Sequence, residues 1–99
     1  MYTIVNRRKI NRDRMQETIQ RGQSEFFPKL RQAPGFVGFY LVNDQNEGIN
    51  TAIIVFEDKA SADAFQGEGA SWARVLDEMG HKVESDNRGE TLLSIEPQK

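Results

Sequence analysis

The sequence predicts a small α+β domain with the element order β-α-β-β-α-β, and three observations carry that reading. A β-branched N-terminal run leads directly into an amphipathic helical stretch. Two strongly β-prone runs flank a turn-rich segment in the middle of the chain. A second helical stretch is then followed by further β-prone residues. With 99 residues the chain has room for one core, since a domain of this size buries only about 60 to 65% of its unfolded surface.

Tyr2 to Ile10 alternates in character and reads as the first strand, and Asn11 offers a side-chain oxygen to cap the first helix. Met15, Ile19, Phe26 and Leu30 recur three to four residues apart or at multiples of that spacing, a stripe for one helix face, with Arg12, Arg14, Glu17 and Arg21 outside it. Gly22 weakens this helix and Pro28 lacks an amide hydrogen, so a kink or break is expected near Glu25 to Pro28. The helix must end before Pro34-Gly35. Gly35 to Asn43 and Ile49 to Glu57 then form an antiparallel hairpin around Asn43 to Gly48. Asp58 and Ser61 are both plausible caps for a second helix that starts with Ala60, Ala64 and Phe65, is interrupted at Gly67 and Gly69, and resumes with Trp72, Val75, Leu76 and Met79. Gly80 is placed to end it in a left-handed conformation. Lys82 to Ser85 and Glu90 to Glu96 read as short strands around the turn formers Asp86 to Gly89. This order is the split βαβ, or ferredoxin-like, pattern: an antiparallel sheet with two helices on one face. No linker or repeat divides the chain, so residues 1–99 are read as a single domain.

The hairpin is apolar on both faces. Thr51, Ile53 and Val55 alternate with Ala52, Ile54 and Phe56, and Val37, Phe39 and Leu41 alternate with Phe36, Tyr40 and Val42. Two helices cover one face of such a sheet, and a second copy of the chain is the simplest cover for the other, which predicts a homodimer.

Composition excludes several classes. A net charge of -2 with 28% charged residues gives no general pull toward nucleic acid or membrane. Without cysteine there is no disulfide, thiolate nucleophile or cysteine metal site, and the balance leans toward a cytoplasmic protein. No signal peptide is visible, and the longest apolar run, Ala52 to Phe56, is far below the roughly 20 residues needed to cross a bilayer. A soluble protein is expected.

The segment Phe26-Phe27-Pro28-Lys29-Leu30-Arg31-Gln32-Ala33-Pro34-Gly35-Phe36, followed by the hairpin ending Val55-Phe56-Glu57-Asp58, resembles the antibiotic biosynthesis monooxygenase-like family of dimeric α/β barrels. The likeness spans roughly Tyr2 to His81. It implies two monomers packed sheet against sheet, with a ligand pocket between each sheet and its helices. It also implies a monooxygenase acting on a small aromatic or polyketide-like molecule without metal or flavin. The superfamily includes haem-degrading enzymes, isomerases and proteins without assigned activity, so a non-catalytic dimeric binding or structural domain and a haem-binding protein stand as alternatives. The haem-degrading members carry an asparagine before an arginine in the first strand, matched by Asn6-Arg7, and use a tryptophan and a histidine on the second helix. Aligned from Phe56-Glu57, that tryptophan position falls on Phe65. Trp72 and His81 would restore the set if Gly67 to Ala70 were a looped-out insertion.

The residues themselves supply few chemical groups. His81 is the sole histidine and can serve as a general base or an axial haem ligand; otherwise it caps a helix C-terminus, where partial positive charge is favoured. Asn6 can hydrogen-bond a ligand carbonyl or dioxygen from mid-strand, or else the backbone. Asn6 and His81 are thus the catalytic candidates. Trp72, Phe65 and Tyr40 are the ligand-binding ones, although Trp72 also suits core packing and Tyr40 cross-strand packing. Arg7, Arg8, Arg12 and Arg14 could hold an acidic ligand but read more simply as a solvated edge. No two-carboxylate pair, metal cluster or serine-histidine-acid set is apparent.

Overall fold

The computed structural model describes residues 1–98. Strand β1, Tyr2–Lys9, enters a short 3₁₀ turn at Arg12–Arg14 and then helix α1, Met15–Arg21. A π-helical turn over Gly22–Phe26 joins α1 to α2, Phe27–Gln32. Next come the hairpin of β2, Phe36–Asp44, and β3, Ile49–Phe56, then α3, Lys59–Ala64, α4, Gln66–Glu78, and β4, Lys82–Glu90. All pairs are antiparallel in the order β2-β3-β1-β4, so β3 slots between the two strands that the first helices connect. This is the ferredoxin-like arrangement. Among the described residues no helix is long and apolar enough to cross a membrane.

Three local expectations are corrected. Lys82 to Glu96 does not form two short strands about a turn: β4 runs unbroken to Glu90 because every stretch of it pairs with β1, and that ladder overrides the turn preference of Asp86 to Gly89. Glu84 is the extra residue of a bulge opposite Arg7 and Arg8. Beyond Thr91, whose amide donates to the Met1 carbonyl, the chain is irregular and Leu92, Leu93 and Ile95 are exposed. Gly67 and Gly69 lie inside α4, and the break between the two C-terminal helices falls at Phe65, where burial fixes the corner. Gly67 to Ala70 is therefore a helical segment and not a looped-out insertion. Asn11 does not cap a helix through its oxygen; its amide donates instead to the Met79 carbonyl at 3.0 Å.

Other expectations match. Asp58 accepts from the Ser61 amide at 2.8 Å and caps α3. The π turn, Gly22–Phe26, overlaps the predicted kink region only at Glu25 and Phe26, and the proline falls in the first turn of α2. Gly35 has φ 77°, and any side chain there would strike Ser61, so this turn admits only glycine.

The core lies between sheet and helices. Tyr2, Ile4, Ile54 and Phe56 face inward from the sheet and meet Phe26, Leu30, Ala62 and Phe65. The alternate positions, Val5 on β1, Ile53 and Val55 on β3, and Tyr40 and Val42 on β2, stand on the opposite face, where Tyr40 and Val42 are exposed.

Candidate functional site

A cavity of about 340 Å³ opens between the inner sheet face and the helices. Strand alternation decides which side chains reach it: Ile4, Asn6 and Arg8 from β1, Phe39 and Leu41 from β2, Ala52 and Ile54 from β3, Asp86 and Arg88 from β4. The helical wall is aromatic. Phe26 and Trp72 stack with centroids 5.2 Å apart and planes 7° from parallel, Phe65 lies 5.9 Å from Phe26, and Phe27 lies 5.4 Å from Phe39. The π turn accounts for part of this wall, because an inserted residue rotates the helix surface and lets the consecutive Phe26 and Phe27 both border the cavity. Gly22 leaves room for it, since a Cβ there would lie 3.0 Å from the Phe27 ring.

The polar groups fall into two sets. At one end, His81 is 2% exposed and both ring nitrogens are engaged. The Asn11 backbone N–H donates to Nδ1 at 3.0 Å, which assigns the proton to Nε2, and Nε2–H donates to Thr18 Oγ1 at 2.7 Å. The Thr18 hydroxyl in turn donates to the Arg14 carbonyl at 2.7 Å. Burial, reinforced by Arg8 and Arg14, holds the His81 pKa below its ordinary value, so the ring is neutral. The sequence expectation of a partly charged helix-end histidine is corrected on that ground. Gly80, at φ 86°, closes α4 in a Schellman turn whose His81 N–H reaches the Leu76 carbonyl at 3.0 Å, and this turn points the ring inward. Arg8 donates to the His81 carbonyl and to Asp77, each at 2.7 Å. Arg14 pairs with Glu17 one turn along and donates to the Glu78 carbonyl at 3.5 Å, so these two N-terminal arginines tie the start of the chain to the end of α4.

At the other set, on the β1–β4 wall, Asn6 is half-buried and its side-chain amide has no hydrogen-bond partner among the described residues. Its cross-strand neighbours are Ala52 and Asp86.

The structure thus brings Asn6, Phe65, Trp72 and His81 to one cavity. Tyr40 is corrected: it stands on the opposite sheet face, 59% exposed, folded over Gly38, because β2 gives its inner positions to Phe39 and Leu41. Sequence reasoning missed Asp86 and Arg88, whose local propensity is for a turn, and Phe27 and Phe39. Only the alternation of a strand longer than local propensity suggests could have found the first pair. An iron at His81 would have to displace the Asn11 amide or the Thr18 hydroxyl. Among the described residues no cluster of three or more metal-ligating side chains occurs.

The antibiotic biosynthesis monooxygenase family model matches residues 1–73, which reaches Trp72 and stops before His81 and β4. No curated protein matches significantly in sequence. Solved structures share the fold at low identity. A monooxygenase from the gene ActVA-Orf6 of Streptomyces coelicolor, in complex with nanaomycin D, is 11% identical over 98% of this chain and 92% of that one, with a TM-score of 0.77. Rv0793 from Mycobacterium tuberculosis is 12% identical over 96% and 98%, with a TM-score of 0.75. SnoaB, a cofactor-independent oxygenase from Streptomyces nogalater, is 18% identical over 98% and 97%, with a TM-score of 0.69.

Proposed function

We infer, because the chain belongs to the antibiotic biosynthesis monooxygenase family, that its cavity oxygenates a planar aromatic molecule with dioxygen and without a metal or flavin. The observation that carries the reading is the pairing of a stacked aromatic wall, Phe26 on Trp72, with an unengaged amide at Asn6 on the facing sheet. Aromatic walls bind π faces with little directional demand, and the few polar groups of such a pocket set the ligand's orientation. The nanaomycin D held by the Streptomyces coelicolor relative and the cofactor-independent description of SnoaB support the same ligand and reaction class.

The chemistry balances without an outside reductant. A ring carbon bearing two hydrogens, activated by an oxygen substituent across the ring, loses both C–H bonds and gains a C=O bond to one atom of dioxygen. The other atom leaves as water with the two hydrogens. The chain's part is to hold the ring against Trp72 and Phe26 and to exclude water. The Asn6 N–H would donate to the substituent oxygen, where negative charge grows as the ring gives up its proton. His81, neutral and bonded at both nitrogens, acts in this reading as a support for that end of the cavity.

The working unit is a homodimer joined through the outer sheet face, where Val42 and Tyr40 are 53% and 59% exposed in the single chain. Light scattering should give twice the chain mass at micromolar concentration, and a monomer unaffected by concentration would refute the assembly.

Oxygen uptake with anthrone tests the activity. Wild type should form the ketone with one atom from dioxygen, and Asn6→Ala should reduce turnover roughly ten- to a hundredfold. No uptake over the uncatalysed rate would leave the binding-domain alternative.

A further inference from the structure

We infer that Asp86 makes the cavity select the hydroxyl-bearing form of its aromatic ligand over the corresponding carbonyl form; this rests on the reading of the cavity as an aromatic site. The antiparallel register sets Asp86 directly opposite Asn6, on the same, helix-facing side of the sheet, and both line the cavity. Side chains so paired have Cβ atoms about 4.5 to 5.5 Å apart, a span that one ring substituent can bridge.

The two groups differ in what they can offer. Asn6 carries a donor and an acceptor and can turn either toward a ligand oxygen. The carboxylate oxygens of Asp86 serve as acceptors. A ligand hydroxyl beside the pair can donate to Asp86 while accepting from Asn6, whereas a carbonyl oxygen there meets a second acceptor and must give up one contact. Hydrogen bonds to a charged acceptor are the stronger kind, so the discrimination falls mainly on Asp86.

Among the described residues nothing in the fold uses this carboxylate otherwise. It forms no ion pair or side-chain hydrogen bond among the described residues, in contrast to Asp77, Asp63 and Asp58, each of which is engaged. Arg88 stands two residues along on the same side and also lines the cavity. In the proposed reaction the enol tautomer of the substrate presents a hydroxyl across the ring from the reacting carbon, while the keto tautomer and the product present a carbonyl, so the same residue would favour the electron-rich tautomer and loosen the product.

Anaerobic binding of naphthohydroquinone and naphthoquinone, followed by calorimetry or tryptophan quenching at Trp72, tests the inference without turnover. Wild type should bind the hydroquinone at least about tenfold more tightly, and Asp86→Asn, an exposed and nearly isosteric change, should bring the two within about threefold. Equal wild-type affinities, or a preference that survives in Asp86→Asn, would overturn the role of Asp86 while leaving the aromatic site standing. Failure of wild type to bind either compound would bring down the site reading and this inference with it.

Discussion

The two polar regions of the cavity differ in how their hydrogen-bonding capacity is used. Around His81 every donor and acceptor is matched: the Asn11 amide, both imidazole nitrogens and the Thr18 hydroxyl form one chain that ends on the Arg14 carbonyl. On the β1–β4 wall Asn6 and Asp86 sit side by side with no protein partner for either side chain among the described residues. Matched buried groups hold a fold together, because removing one strands the others. Unmatched groups at a cavity surface contribute little to folding and remain free for a ligand. Both regions contain the residue types expected of a catalytic site, so residue type alone does not separate them; the bonding state does.

The largest effect expected of this contrast is on stability. His81→Ala should cost about 2 to 4 kcal/mol, because it leaves the Asn11 N–H without its acceptor, takes away the Thr18 partner and opens a void at a buried position. Chemical denaturation measures it, and a loss below about 1 kcal/mol would mean that water replaces the ring without penalty. The same network predicts a pH signature. The folded pKa of His81 is depressed, so the folded state binds fewer protons than the unfolded chain once the pH falls below the unfolded value near 6.5. Its contribution is therefore complete above that pH. It declines as the pH drops toward the depressed folded pKa, at up to about 1.4 kcal/mol per pH unit, and becomes constant below it. As the sole histidine, it makes the test clean: His81→Gln should flatten the dependence between about pH 7 and 5.5. An unchanged slope would locate the titration elsewhere.

The smallest stability effect should come from the other wall. Asn6→Ala is expected to shift unfolding by no more than about 0.5 kcal/mol while removing ligand contact. Equal losses of stability and activity in that variant would erase the distinction between the two regions and make Asn6 a structural residue.

Part of this contrast is legible in the residues alone. Asn6 stands out as a poor strand former in mid-strand, Trp72 and Phe65 as aromatics on a helical period, and His81 as the sole imidazole. What the residue string cannot show is that His81 is bonded at both nitrogens, since its partners lie 70 and 63 positions away and meet it only when β1, α1 and the end of α4 converge. Tyr40 is misplaced by sequence reasoning for a related reason. Both faces of β2 are apolar, so alternation names two candidate sets without saying which one the helices cover.

Local physics determined the order of elements, the hairpin, the Asp58 cap, the kink before Pro28 and the left-handed turn at Gly80, because each depends on side chains within a few residues of one another. Only the tertiary structure decided that Asp86 to Gly89 is strand and not turn, and hence that a carboxylate faces Asn6. A backbone ladder with β1 satisfies that segment along its length, and such pairing energy is set by a partner some eighty residues earlier in the chain, where no local preference can register it.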